Sequence, residues 1–394
     1  MRASYQWFWL VAFSRARVAP GVTEQGFGVA AARGVDAGIE CPHLESMKWL
    51  SVRAALLFAL AAGLSACGGG GPDNVEAFTG DPLSTKQGYM LGLGVPEAWA
   101  RERGSIVVAV IDNGVDLSHP DLKPRLWRNP NEQEDGEDND GNGLVDDIHG
   151  WNFLDESSDL SERGEAGAAH EHGTAVAGII AAETDNGEGI AGLCPGCSLM
   201  ILKARDFERE NSVLPLLSRA VDYAIEHGAR VINVSDGSLS GSLAADLVNE
   251  IEEAAARAEA AGVVLVASAG NDSMDNVRVP ARVPSVLAVA AVEWDNAPAD
   301  FTSFGAEVDV AAPGSFIYST MPGGGYGYFN GTSASAPVAA GLAALLLSKT
   351  PSMSPADAID RIRATAKPAD LRAHPEIKGK LGPGVVSFAG ALSP

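Results

Sequence analysis

The chain has 394 residues, 46% of them hydrophobic, with a formal net charge of −23. That apolar content supports a sizeable core and excludes a wholly disordered chain. Acidic residues outnumber basic ones 51 to 28, without any Lys/Arg run; this argues against nucleic acid as a partner, because a nucleic-acid binder presents a basic face.

The first organised feature in chain order spans 47–71. A short basic stretch, MKWLSVR, precedes the apolar run 54–66, then Cys67 and four glycines. These are the three parts of an export signal, and the run is too short to span a bilayer comfortably. Leu64-Ser65-Ala66-Cys67 resembles the lipobox of bacterial lipoproteins. That resemblance implies a lipid on Cys67, which becomes the mature N-terminus. The expected organisation is a non-native or removed extension at 1–46, a signal at 47–66, a Gly-rich tether at 67–83 and one domain over 84–394. The expected location is outside the cytoplasm, on a bacterial outer membrane or cell surface. The alternative is an internal anchor helix or a buried apolar segment.

Beyond the tether, short β-branched runs at 106–111, 199–202, 231–234, 263–267 and 286–292 read as strands buried on both faces. Helical patterns fill 174–182, 213–227, 244–261, 333–349 and 355–365. This alternation predicts an α/β fold with a mostly parallel sheet, helices on both faces and right-handed crossovers.

Three motifs fall at strand ends or helix starts: VAVIDNGVD with Asp112, HEHGTAVAG with His172, and NGTSASAPVAAG with Ser333. Singly, each has a plain reading as a turn aspartate, a structural histidine or an N-cap serine. Together they run Asp, His, Ser, which is the chain order of subtilisin. The flanks Asp-x-Gly, His-Gly-Thr-x-Val-Ala-Gly and Gly-Thr-Ser-x-Ser-x-Pro complete the pattern. Over about 84–394 the chain resembles subtilisin-like serine proteases. The resemblance implies a subtilisin-like fold and hydrolysis of protein or peptide substrates.

The chemistry explains the residue types. A serine hydroxyl is a weak nucleophile and needs a base within reach. His172 takes that role because Gly-Thr follows it, whereas a Glu follows His170. Asp112 would orient His172. Ser333 at a helix start would place backbone N–H groups near a developing oxyanion. The resemblance adds Asn271, in VASAGND, as the side-chain amide of the oxyanion hole. It also puts Ser235, Asp236 and Gly237 on the substrate-pairing edge, with Asp236 where the family carries an apolar residue. Gly270 and Ser235 would wall the main specificity pocket. Arg278 would stand near its floor and favour an acidic residue before the scissile bond, unless the loop turns it to solvent. The family's secreted members carry a propeptide of several dozen residues before the protease domain; here the tether alone precedes it.

Residues 132–165 hold 13 Asp/Glu against one Arg. Within them, DNDGNGLVDD (138–147) fits the first half of an EF-hand loop through Asp138, Asp140, Asn142 and Gly143. The closing Glu is absent, and Asp146 and Asp147 are the replacements. Such oxygen donors suit calcium rather than zinc. The alternative is a solvated acidic loop. Cys194 and Cys197 form a C-x-x-C, read as a local disulfide in an exported protein; two free thiols are the alternative. For the whole chain, the competing reading is an inactive subtilisin fold that binds peptides. The sequence leaves the oligomeric state open.

Overall fold

The computed structural model describes residues 75–162, 171–206 and 213–394. Its elements run α1 (Gly88–Leu93), α2 (Val95–Trp99), β1 (Val107–Asp112), β2 (Gly150–Asn152), α3 (His172–Ala181), β3 (Ser198–Lys203), α4 (Leu214–Glu226), β4 (Ala229–Val234) and α5 (Ala245–Ala260). They continue through β5 (Val264–Ser268), β6 (Val286–Val292), β7 (Val310–Pro313), β8 (Ile317–Met321), β9 (Gly325–Phe329), α6 (Thr332–Lys349), α7 (Pro355–Thr365) and α8 (Phe388–Ala391).

Seven strands form one parallel sheet in the order β2-β3-β1-β4-β5-β6-β7, and β8 and β9 form a separate antiparallel hairpin. The sheet strands read as continuous apolar runs because helices cover both faces. α6 is buried from Thr332 to Leu347 and packs across β4 to β7, so it is apolar on every side. α4 and α5 bury one face each, through Leu217, Val221 and Ala224 and through Ile251, Ala254, Ala255 and Ala258. β1 has β3 on one side and β4 on the other. The crossovers therefore leave in opposite directions beside its carboxyl end, which opens a crevice there.

α3 enters this crevice through two glycines. A Cβ on Gly173 would lie 2.0 Å from the Gly114 carbonyl oxygen, and one on Gly178 would lie 2.2 Å from Thr320 Oγ1. No larger residue lets the helix come so close to the β1 turn and the hairpin.

Each strand expected from the sequence is present, with ends moved by up to two residues. β2, β7 and the hairpin were not anticipated. β2 has three residues, β7 ends in a proline, and the hairpin is rich in glycine, so none gives a sustained apolar period. Within the described part of the expected tether, Glu76, Ala77 and Gly80 are exposed, and the buried Asp81 carboxylate accepts the Asp185 and Asn186 N–H groups at 2.8 and 2.9 Å. The extension at 1–46, the signal and Cys67 lie outside the described residues. Among the described residues, no helix is long and apolar enough to cross a membrane.

Candidate active site

Asp112 is the last residue of β1 and is 2% exposed. Its carbonyl oxygen accepts the Ala204 and Arg205 N–H groups at 2.9 and 3.0 Å, which ties the strand end to the segment after β3. Its carboxylate accepts the Asn113 N–H at 2.8 Å. His172 is the first residue of α3, and Gly173 N–H behind it donates to Asn113 Oδ1 at 2.9 Å. The His172 Nδ1 lies 2.8 and 2.9 Å from the two Asp112 carboxylate oxygens. A ring nitrogen facing a carboxylate carries the proton, which leaves the lone pair of the neutral ring on Nε2. The Phe329 ring meets the imidazole edge-on at 5.2 Å between centroids.

Ser333 is the second residue of α6 and lies buried with His172 along one cavity of about 370 Å³. Its Oγ donates to the Ser235 carbonyl at 2.9 Å, while Ser235 Oγ donates to the Ser333 carbonyl at 3.1 Å. These reciprocal bonds fix the end of β4 against the start of α6. The Ser333 N–H belongs to the first helical turn, where backbone donors have no partner inside the helix. Asn271 follows β5, and its Oδ1 accepts from Thr332 N–H at 2.9 Å and Thr332 Oγ1 at 3.0 Å. Asn271 lines the same cavity as His172 and Ser333.

The expected substrate edge lies on the same cavity. Ser238 and Val279 exchange backbone hydrogen bonds at 3.0 and 2.9 Å, which anchors the segment just beyond Gly237. Asp236 pairs with Arg205, a residue that sequence reasoning missed. Burial pushes the Arg205 guanidinium below its ordinary value. Arg278 lines the cavity, with its side chain 32% exposed. Its Nε and NH2 donate to the two Asp272 oxygens at 2.7 and 2.6 Å, and its NH1 donates to the Gly237 carbonyl at 2.9 Å. The Arg278 hydrogen bonds hold the Asp272 carboxyl below the usual range. Gly270, at φ +117°, makes room for Arg278: a Cβ there would stand 2.9 Å from Arg278 Cδ.

The acidic loop differs in one respect from its sequence reading. Asp138 and Asp140 come together with Glu132, each with a carboxylate oxygen within 4.8 Å of the others. Asp147 and His227 adjoin Asp140 in the same way, and Asn142 Nδ2 donates to Asp147 Oδ2 at 3.0 Å. Asp146 does not join them. With φ +55°, it turns back and accepts the Asp135 and Gly136 N–H groups at 3.0 Å each. Glu132 was missed because it precedes the motif by six residues, and only the fold brings it back. Elsewhere, Cys194 and Cys197 form a disulfide with Cα atoms 5.4 Å apart.

Comparison with known proteins follows this geometry. The family model described as "Subtilase family" matches residues 103–384. The chain is 38% identical over 266 residues to subtilisin amylosacchariticus from Bacillus subtilis subsp. amylosacchariticus, covering 66% of this chain and 60% of that protein. It thus spans less than two thirds of the length of the first such relatives. It is 33% identical to thermitase from Thermoactinomyces vulgaris, over 70% of this chain and 87% of thermitase. Among solved structures, the prenylagaramide maturation protease PagA is similar with a TM-score of 0.60 and 29% identity, over 76% of this chain and 97% of that one. The chain belongs to the subtilase family and has its subtilisin-like α/β fold.

Proposed function

We propose that this protein is a serine endopeptidase that cleaves protein or peptide substrates through an acyl-enzyme. The observation that carries the reading is the Asp112–His172 contact at 2.8 and 2.9 Å on the cavity that Ser333 lines. His172 Nε2 takes the Ser333 hydroxyl proton as Oγ attacks the scissile carbonyl. Asp112 holds Nδ1–H and stabilises the imidazolium. The Ser333 N–H and the Asn271 amide receive the oxyanion. His172 then returns the proton to the leaving amine, and water repeats the sequence on the acyl group. The substrate backbone pairs with the 235–237 edge, as an added strand does. The direct test is peptide hydrolysis by the wild type and its loss in Ser333→Ala.

Arg278 favours an acidic side chain before the scissile bond. Asp272 grips one side of the guanidinium, and the two terminal nitrogens keep one N–H each for a substrate carboxylate. Calcium is the cation that the acidic loop fits. Glu132 is 3% exposed, and its Oε2 has no hydrogen-bond partner although it sits beside Asp138 and Asp140. A buried carboxylate oxygen without a donor is costly, and a hard cation held by Glu132, Asp138 and Asp140 removes that cost. Calcium bound there supplies structural stability only.

Membrane attachment rests on the sequence at 47–67. A mature N-terminus whose mass carries lipid on Cys67 is the expected result; an unmodified Cys67 inside a longer chain contradicts it.

A further inference from the structure

Glu162 stands outside the expected triad yet grips the helix that carries its histidine. Its Oε1 accepts the Thr174 N–H at 2.9 Å, and its Oε2 accepts from Thr174 Oγ1 at 2.7 Å. Thr174 is two residues beyond His172, in the first turn of α3, and is fully buried. The same Oγ1 accepts the Asp116 N–H at 2.9 Å, so one threonine joins Glu162 to the turn that follows Asp112. The backbone reinforces the link. Val115 N–H donates to the Leu160 carbonyl at 2.9 Å, and a Cβ on Gly114 would lie 2.4 Å from that oxygen. Asp112 and His172 are thus set on two segments that meet at the strip Leu160–Glu162.

We infer that Glu162 is a positioning residue, which holds the His172 helix against the Asp112 turn and makes catalysis sensitive to its own ionisation. The inference rests on the catalytic reading above. Among the described residues, the charged groups that face this strip are Asp112 and Asp116, from the end of β1 and its turn, and Lys203 from β3, whose ammonium donates to the Ser161 carbonyl; His172 stands on α3 two residues before Thr174. Burial pushes the Glu162 carboxyl up to about 8, and the negative charges of Asp112 and Asp116 add to it. Glu162 is therefore neutral at pH 7 and becomes charged above about pH 8. A group raised in the folded state gives its full stabilisation below the unfolded value near 4.5 and loses it as pH rises through 8. Its ionisation leaves a buried charge beside Asp112 and Asp116, a cost that outweighs the gain in the Thr174 hydrogen bonds and draws the strip off α3.

The test is the rate of fluorophosphonate labelling of Ser333 from pH 6 to 10, in wild type, Glu162→Gln and Glu162→Ala, with melting temperatures at each pH. Wild type should slow above pH 8, and Glu162→Gln should lack that fall. At pH 7, Glu162→Ala should be labelled about tenfold more slowly, within the loss that a misplaced catalytic group gives, and Glu162→Gln should recover most of it. The melting temperature of wild type should drop further between pH 6 and 9 than that of Glu162→Gln. The same pH course in wild type and Glu162→Gln, or a wild-type rate in Glu162→Ala, overturns the inference. A wild type that is never labelled refutes the catalytic reading instead. The melting comparison then decides Glu162 alone: a matching pH course in both proteins overturns it.

Discussion

His172 owes its tautomer to one neighbour and its position to several. Asp112 fixes the proton on Nδ1, Asn113 anchors the next residue, and Thr174 carries the hold of Glu162. The three residue types proposed for catalysis and their order were legible in the sequence, because each sits in a short contiguous motif. Glu162 was not, since its partner Thr174 lies twelve positions away and only the fold joins them. Arg205 escaped for the same reason, while Arg278 was placed by alignment but without its partner Asp272. That partner sharpens a prediction. Removing the guanidinium in Arg278→Ala leaves the Asp272 carboxylate behind it without its cationic partner. A peptide library should then shift from acidic to basic side chains before the scissile bond, by about tenfold or more for the switched charge. A wild-type profile with apolar preference only removes Arg278 as a selector.

At the level of elements, the site depends on how closely α3 approaches the end of β1. Gly173 sets that distance, as a Cβ there would collide with the Gly114 backbone oxygen at 2.0 Å. Backbone on both sides cannot yield cheaply, so Gly173→Ala should destabilise the fold by about 1–3 kcal/mol, the usual cost of overpacking. It should also lower kcat more than it raises KM, because His172 moves while the 235–237 edge does not. Urea melts and steady-state kinetics check both; unchanged kcat in a destabilised protein would confine Gly173 to packing. The five strands read from the sequence hold five to seven residues each and carry continuous apolar runs, and the helices keep their period over ten or more. β2 and β7 hold three and four residues and depend on pairing with β3 and β6 instead. Such strands carry too few residues to announce themselves.

Over the whole molecule, the net charge of −23 is concentrated in a loop that the fold does not leave fully solvated. Glu132 and Asp147 are buried there beside Asp138 and Asp140. If the proposed cation offsets their repulsion, EDTA should lower the melting temperature by several degrees and added calcium should restore it. An unchanged melting temperature in EDTA would return the loop to a plain acidic surface. The motif D-x-D-x-N-G pointed to this loop, but the sequence chose Asp146 where the fold uses Glu132. Proximity in the chain misled there, because Asp146 turns back to cap its own neighbours. The most direct test of the whole account is covalent. A fluorophosphonate probe should label the wild type once per chain, with the modified peptide containing Ser333. Ser333→Ala should stay unlabelled while melting as the wild type does. A folded wild type that resists the probe, or labelling that persists in Ser333→Ala, would contradict the account and leave a peptide-binding subtilisin fold.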